Sequence, residues 1–190
     1  MTGLEPARHV IVEIATVVTD DNLKVLAVGP DLVVHASDDE LGEMGDYVTA
    51  MHTKSGLLTK IRESTVSVQD AERATLNFLL ASGAPATTIP LAGNSIGTDR
   101  RFLQEYMPDL ERFFHYRNVD VSTIKELAQR WHPQILRAKP DKETSHRALD
   151  DIYESIAELA FYQQNLFVPT AAPQSIDVTT SIDQSTKESS

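Results

Sequence analysis

The stretch that decides the fold is Val10-Ile11-Val12-Glu13-Ile14-Ala15-Thr16-Val17-Val18, followed at once by Thr19-Asp20-Asp21-Asn22. β-Branched residues fit a pleated, half-buried surface and the Asp-Asp-Asn cluster is a turn signal, so this reads as a strand entering a hairpin. Residues 25–34 are the return strand. Pro30-Asp31 interrupts them, and a proline has no N–H to give a ladder, so an edge position or a bulge is expected there.

Working outward, the segment between Val34 and Ser67 reads as a polar, acidic loop. Ser67-Val68-Gln69-Asp70 then has the form of a helix N-cap, and Ala71, Ala74, Phe78 and Leu79 follow on one helical face until Ser82-Gly83. Ile89-Pro90-Leu91-Ala92 reads as a short strand running into the turn Gly93-Asn94-Ser95, with a helix over 100–107 ended by Pro108. Residues 116–121 read as another strand. Ser122 is placed to cap a helix through Leu127 and Trp131 that Pro133 closes. The longest periodic segment, 147–166, sets Ala148, Ile152, Ile156 and Leu159 on a core face. A hairpin followed by strands alternating with helices predicts an α/β fold, a mixed sheet flanked by helices.

The chain has 190 residues with 17 Lys plus Arg against 28 Asp plus Glu, for a net charge of −11. That size fits one domain, and 41% hydrophobic residues are enough for a substantial core. Residues 169–190 have no aromatic side chain, are rich in Ser, Thr, Gln, Asp and Ala, and contain Pro169 and Pro173. They are expected to form a flexible tail behind a domain of residues 1–168. The acidity excludes tight, sequence-blind binding to long nucleic acid, which relies on many cations at phosphates. It is compatible with a short phosphorylated substrate or with carboxylates gathered around divalent cations. With no Cys, disulfides, thiolate zinc sites and a cysteine nucleophile are excluded. No apolar run approaches the roughly 20 residues of a membrane helix, and the first residues lack a secretory pattern. A cytoplasmic location without membrane contact is therefore expected.

Three segments concentrate chemistry. In Gly93-Asn94-Ser95-Ile96-Gly97-Thr98-Asp99, a glycine-bracketed turn opens a helix, exposing N–H groups and Ser95 to a phosphate oxygen and Asp99 to a hard cation. In His115-Tyr116-Arg117 with Asp120-Val121-Ser122, the guanidinium and hydroxyls suit a phosphate. In His146-Arg147-Ala148-Leu149-Asp150-Asp151, a His and a carboxylate five residues on converge near a helix start, where the His can act as general base and the Asp can bind metal. Each segment alone is equally open to a bland account. Asp99, Asp150 and Asp151 complement helix dipoles, Arg117 pairs with Asp120, and Ser122 only caps a helix. Together they form the kit of a metal-dependent nuclease.

The strings Met1-Thr2-Gly3-Leu4, IATVVTD (14–20), GNSIGTDRRFL (93–103), FHYRNVDVST (114–123), KELAQRW (125–131) and HRALDDI (146–152) resemble, in order and spacing, the oligoribonuclease family. That family lies in the His-containing branch of the DEDD 3′-to-5′ exonucleases. The resemblance implies an RNase H-like sheet, and two Mg²⁺ or Mn²⁺ ions serving phosphodiester hydrolysis of short single-stranded RNA oligonucleotides to nucleoside 5′-monophosphates. It implies that Asp99 and Asp151 bind metal and that His146 is the catalytic base. Ser95, Arg117 and Ser122 match positions that hold the substrate's 5′-phosphate, and Leu4 a wedge against the bases. Tyr47 falls where the family usually has a Trp. Tyr116 matches a tyrosine delivered by a neighbouring protomer, so a homodimer is implied.

In the family, Asp-x-Glu immediately precedes the Met-Thr-Gly-Leu string, at the end of the first strand. Residues two apart on a strand face the same side, so both carboxylates would meet the metals. Residues 1–190 begin at that Met, so this first strand is expected to be largely missing, and the polypeptide as written to have little activity and poor stability. Glu13 is no substitute, since the family carries a Glu there alongside Asp-x-Glu. Two other readings stand beside the enzyme: a non-catalytic binder of short oligonucleotides, and a DNA proofreading-type exonuclease of the same superfamily.

Overall fold

The computed structural model describes residues 1–137 and 147–167. The hairpin forms as its sequence dictates: β1 (Glu13–Thr19) pairs antiparallel with β2 (Val25–Val33). Asp20 closes the turn, its Oδ1 accepting from the N–H groups of Asn22 and Lys24 at 2.9 Å each. The register slips between Ala15 and Val17, opposite Gly29-Pro30, so the proline is accommodated at an irregularity on a strand whose one described partner is β1. The ladder starts later than the apolar run. Val10, Ile11 and Val12 are buried yet precede it, tied by isolated bonds from Thr2 N–H to the Val10 carbonyl (3.0 Å) and from Val34 N–H to the Val12 carbonyl (2.9 Å).

The segment expected to be a polar loop instead holds α1 (Asp38–Gly42), α2 (Asp46–Lys54) and α3 (Leu57–Glu63). Each is too short to display a periodic apolar face. Ser37 and Glu40 form a capping box, and Leu41, Leu57 and Ile61 are buried against Val10, Val12 and Ala36. Tertiary burial stabilises what propensity alone leaves undecided.

α4 (Val68–Ala81) follows its predicted capping box of Ser67 and Asp70. It lies over the hairpin, and Gly29 permits the approach, because a Cβ there would sit 2.7 Å from the Phe78 ring. Gly29→Ala is expected to destabilise the domain by about 1–3 kcal/mol, read as a lowered urea midpoint. β3 (Leu91–Gly93) runs into α5 (Ile96–Tyr106), which begins a turn earlier than its sequence pattern indicates. Pro108 ends that helix and also opens α6 (Pro108–Phe113), a first-turn position at which it needs no N–H. Leu79, Phe102, Met107 and Leu110 join Val18 and Val34 in the main core.

β4 (Asn118–Asp120) pairs parallel with β3 and leads into α7 (Val121–Trp131), followed by α8 (Pro133–Arg137) and α9 (Ala148–Asn165). Parallel and antiparallel pairings are thus both present, flanked by helices. Among the described residues they form two separate two-stranded pairs rather than one sheet. The buried members of α9 are Glu158 and Tyr162, while the predicted face of Ala148, Ile152, Ile156 and Leu159 is half-buried. His146 and the expected tail lie outside the described residues.

Candidate active site

Two helix starts meet at the carboxyl ends of β3 and β4. Ser95, the N-cap of α5, has left-handed backbone angles (φ 52°, ψ 35°) and its side chain caps nothing. Its N–H donates to Asp120 Oδ1 and to Ser122 Oγ, both at 3.0 Å, and its hydroxyl lies 3.2 Å from the Ser122 hydroxyl. The backbone N–H expected to greet a phosphate is therefore engaged internally, and the two hydroxyls form the convergent feature. Ser122 does not cap α7. Asp120 does, its Oδ1 accepting from Ser122 N–H at 2.9 Å, because a carboxylate two residues earlier reaches the free amides of the first turn. This leaves the Ser122 hydroxyl to turn toward β3.

Asn94 links this cluster to the core. It accepts from the Ser122 hydroxyl at 3.2 Å and donates to Ser155 Oγ at 2.9 Å and Glu158 Oε2 at 3.4 Å. Glu158 in turn accepts from the Tyr162 hydroxyl at 2.9 Å; burial, then Glu158 itself, holds that phenol well above its usual range. The sequence offers no role for Glu158 or for the Asn94 side chain, and it gives Asp120 only a pairing with Arg117 rather than the cap of α7. Asp120 had a legible signal in its position two before Ser122, whereas Asn94 and Glu158 acquire partners only through folding.

Arg117 is exposed and does not pair with Asp120; its guanidinium lies over the Tyr116 ring, 5.3 Å from the centroid. The loop carrying it is set by Arg100, whose guanidinium donates to Glu111 Oε1, the His115 carbonyl and Asn118 Oδ1 at 2.7–2.8 Å. Leu4, Tyr47 and Tyr116 all stand out of the core, at 68%, 76% and 72% exposure. Arg101 holds the Leu4 carbonyl at 3.4 Å, and Tyr106 the Pro6 carbonyl at 2.8 Å, so α5 fixes the N-terminal loop.

Asp99 sits half-buried in the first turn of α5. Burial pushes its carboxyl above the usual range, its own backbone N–H and the Met1 α-amino group pull the other way, and Asp120 adds repulsion. Asp151 lies exposed in the first turn of α9. Glu13 is taken by Arg147 and by the start of α9, so it offers no replacement carboxylate.

Two serine hydroxyls at helix starts, an exposed arginine on the loop before β4 and a half-buried aspartate on an α/β scaffold suit a phosphate and a cation, the groups a phosphodiester-cleaving enzyme must handle. The exonuclease family designated RNase_T matches residues 1–159, so the chain is an exonuclease with that RNase H-like fold. Oligoribonucleases of Corynebacterium glutamicum and Corynebacterium efficiens are each 54% identical to it, over 92% and 96% of this chain and 80% and 84% of their own lengths. That of Escherichia coli K12 is 54% identical over 87% of this chain and 90% of its own length. The chain belongs to the oligoribonuclease family.

Exonucleases of this family are divalent-metal-dependent in general. Among the described residues no group of three or more His, Asp or Glu is placed to hold a metal ion. The described residues by themselves therefore do not make a complete cation site. Nor does any described helix have the length and apolarity to cross a membrane.

Proposed function

We propose that this exoribonuclease holds the 5′-phosphate of a very short, single-stranded RNA between the Ser95 and Ser122 hydroxyls and the Arg117 guanidinium, and cleaves from the 3′ end. The observation that carries the reading is the 3.2 Å approach of two serine hydroxyls from separate helix starts, one of them opening the helix of Asp99. In a chain of net charge −11, a phosphate beside Asp120 needs a cation, and Arg117 supplies a planar donor set on the neighbouring loop. Leu4 and Tyr47 offer apolar surface for stacking bases, and Tyr116 reaches the site of a second copy, so the working form is a homodimer in the cytoplasm.

Hydrolysis adds water to phosphorus, breaks its bond to the 3′ oxygen of the preceding nucleotide, and frees a nucleoside 5′-monophosphate. His146 takes the water's proton, and the departing 3′ oxygen gains one. Asp99 and Asp151 are this chain's carboxylates for two Mg²⁺ or Mn²⁺ ions. Such ions, when bound, neutralise phosphate charge and acidify water.

A charge-assisted hydrogen bond contributes roughly 1.5–3 kcal/mol. Arg117→Met should therefore raise KM for a 5′-phosphorylated dinucleotide about 10–100-fold, and change KM for its unphosphorylated counterpart less than about 2-fold, in steady-state kinetics. Equal effects on both substrates would remove Arg117 from the phosphate pocket. Competition between dinucleotides and longer primers tests the substrate class. Binding of the 5′-phosphorylated dinucleotide without turnover would favour the non-catalytic alternative.

A further inference from the structure

Glu13, inside the stretch that decides the hairpin, carries a carboxylate that the reaction above does not use. Its side chain is only 5% exposed, and a buried carboxylate is costly unless paired and hydrogen-bonded. Both oxygens are engaged. Oε1 accepts from Nε and Nη2 of Arg147 at 2.6 Å each, and Oε2 accepts from the Ala148 N–H at 3.0 Å.

Those partners are the first residues of α9. Arg147 is its N-cap, with extended backbone angles, and its side chain caps no amide of its own helix. The opening N–H groups of a helix have no intrahelical acceptor. Here the acceptor comes from β1, 135 residues earlier in sequence, and its negative charge also complements the helix dipole. The same carboxylate grips the Arg147 guanidinium, so backbone and side chain of the first turn are clamped at adjacent residues. Asp151 lies within that turn, its N–H donating to the Arg147 carbonyl at 2.9 Å. Any fraying of the turn displaces Asp151.

We propose that Glu13 is a positioning residue of this exonuclease: by clamping Arg147 and Ala148 to β1 it sets the placement of Asp151 in the site. The inference rests on the reading that Asp151 acts there. It assigns Glu13 no contact with substrate or metal.

The test compares Glu13→Gln, Arg147→Gln and the double variant, which leaves no buried charge unpaired, in the chain carrying Asp-x-Glu ahead of Met1, with Asp151→Asn as reference. For Glu13→Gln the expected result is a 10–100-fold fall in kcat on a 5′-phosphorylated dinucleotide with KM changed less than 2-fold. Hydrogen exchange at the Ala148 amide should rise at least 10-fold, with exchange at Glu158 and Tyr162 unchanged. The double variant should be no slower than Glu13→Gln. Unchanged kcat in Glu13→Gln alongside an inactive Asp151→Asn overturns the inference and leaves the site reading standing. Full activity in Asp151→Asn overturns the site reading and, with it, any catalytic consequence of the clamp. Exchange accelerated equally along the whole of α9 overturns it as well, by making Glu13 a general stabiliser.

Discussion

A polypeptide with Asp-x-Glu directly ahead of Met1 is expected to hydrolyse a 5′-phosphorylated dinucleotide in Mn²⁺ at least about 100-fold faster than residues 1–190 alone. Ligand number sets the difference. Asp99 and Asp151 lie on separate helix starts, and no described group reaches three metal-ligating side chains. A strand ending in Asp-x-Glu adds two carboxylates facing one side, next to Met1. Met1 belongs to this neighbourhood, since its α-amino group interacts electrostatically with Asp99 and Glu13. Equal rates for the two polypeptides would refute the prediction.

The same pair of polypeptides should differ in stability, and the sign follows from linkage. In residues 1–190 burial lowers the pKa of the Met1 α-amino group below its ordinary 8.0, with Asp99 and then Glu13 opposing. The folded state then binds that proton less tightly than the unfolded state, so stability is lost as pH falls through 8.0. An upstream residue replaces the amine with a neutral amide and removes this loss. Thermal melts should show the extended polypeptide gaining its largest advantage on the acid side of 8.0, and an advantage that shrinks toward acid pH would contradict the assignment.

Asp99→Asn, made in the polypeptide that carries Asp-x-Glu ahead of Met1, is expected to lower kcat/KM by about 100-fold or more while leaving the melting temperature at neutral pH unchanged or higher. Both halves come from one fact: Asp99 is half-buried, and burial raises its carboxyl pKa. A carboxyl that holds its proton more tightly when folded stabilises the protein as pH falls through its folded value, and that gain is lost as pH rises. At neutral pH its charge is a cost, which Asn removes. Substantial remaining activity would take Asp99 out of the chemistry, and a marked fall in melting temperature would give it a structural role instead.

Local chemistry accounts for the parts that were legible early. The β-branched run with its Asp20 turn, the Ser67–Asp70 capping box and the glycine-bracketed turn before α5 all act within a few residues, so each predicts its own structure. The helices α1 to α3 are illegible in the sequence for the opposite reason. They are short, and Leu41, Leu57 and Ile61 become a core face only against Val10, Val12 and Ala36. Ser122 has the sequence pattern of a capping serine, but Asp120, two residues before it, takes the same amides with a charged acceptor.

The sequence by itself determined the α/β class and, through its motifs, the oligoribonuclease family, and it offered Ser95, Asp99, Arg117, Ser122 and Asp151 as candidates for the site. Periodicity, capping and turn chemistry are short-range, and motif spacing is read along the chain. The tertiary structure alone decided the rest. It brought the Ser95 and Ser122 hydroxyls together, tied Asn94 to Ser155 and Glu158, and spent Glu13 on the start of α9. Buried polar groups require partners, and which partner each one finds depends on how distant segments pack.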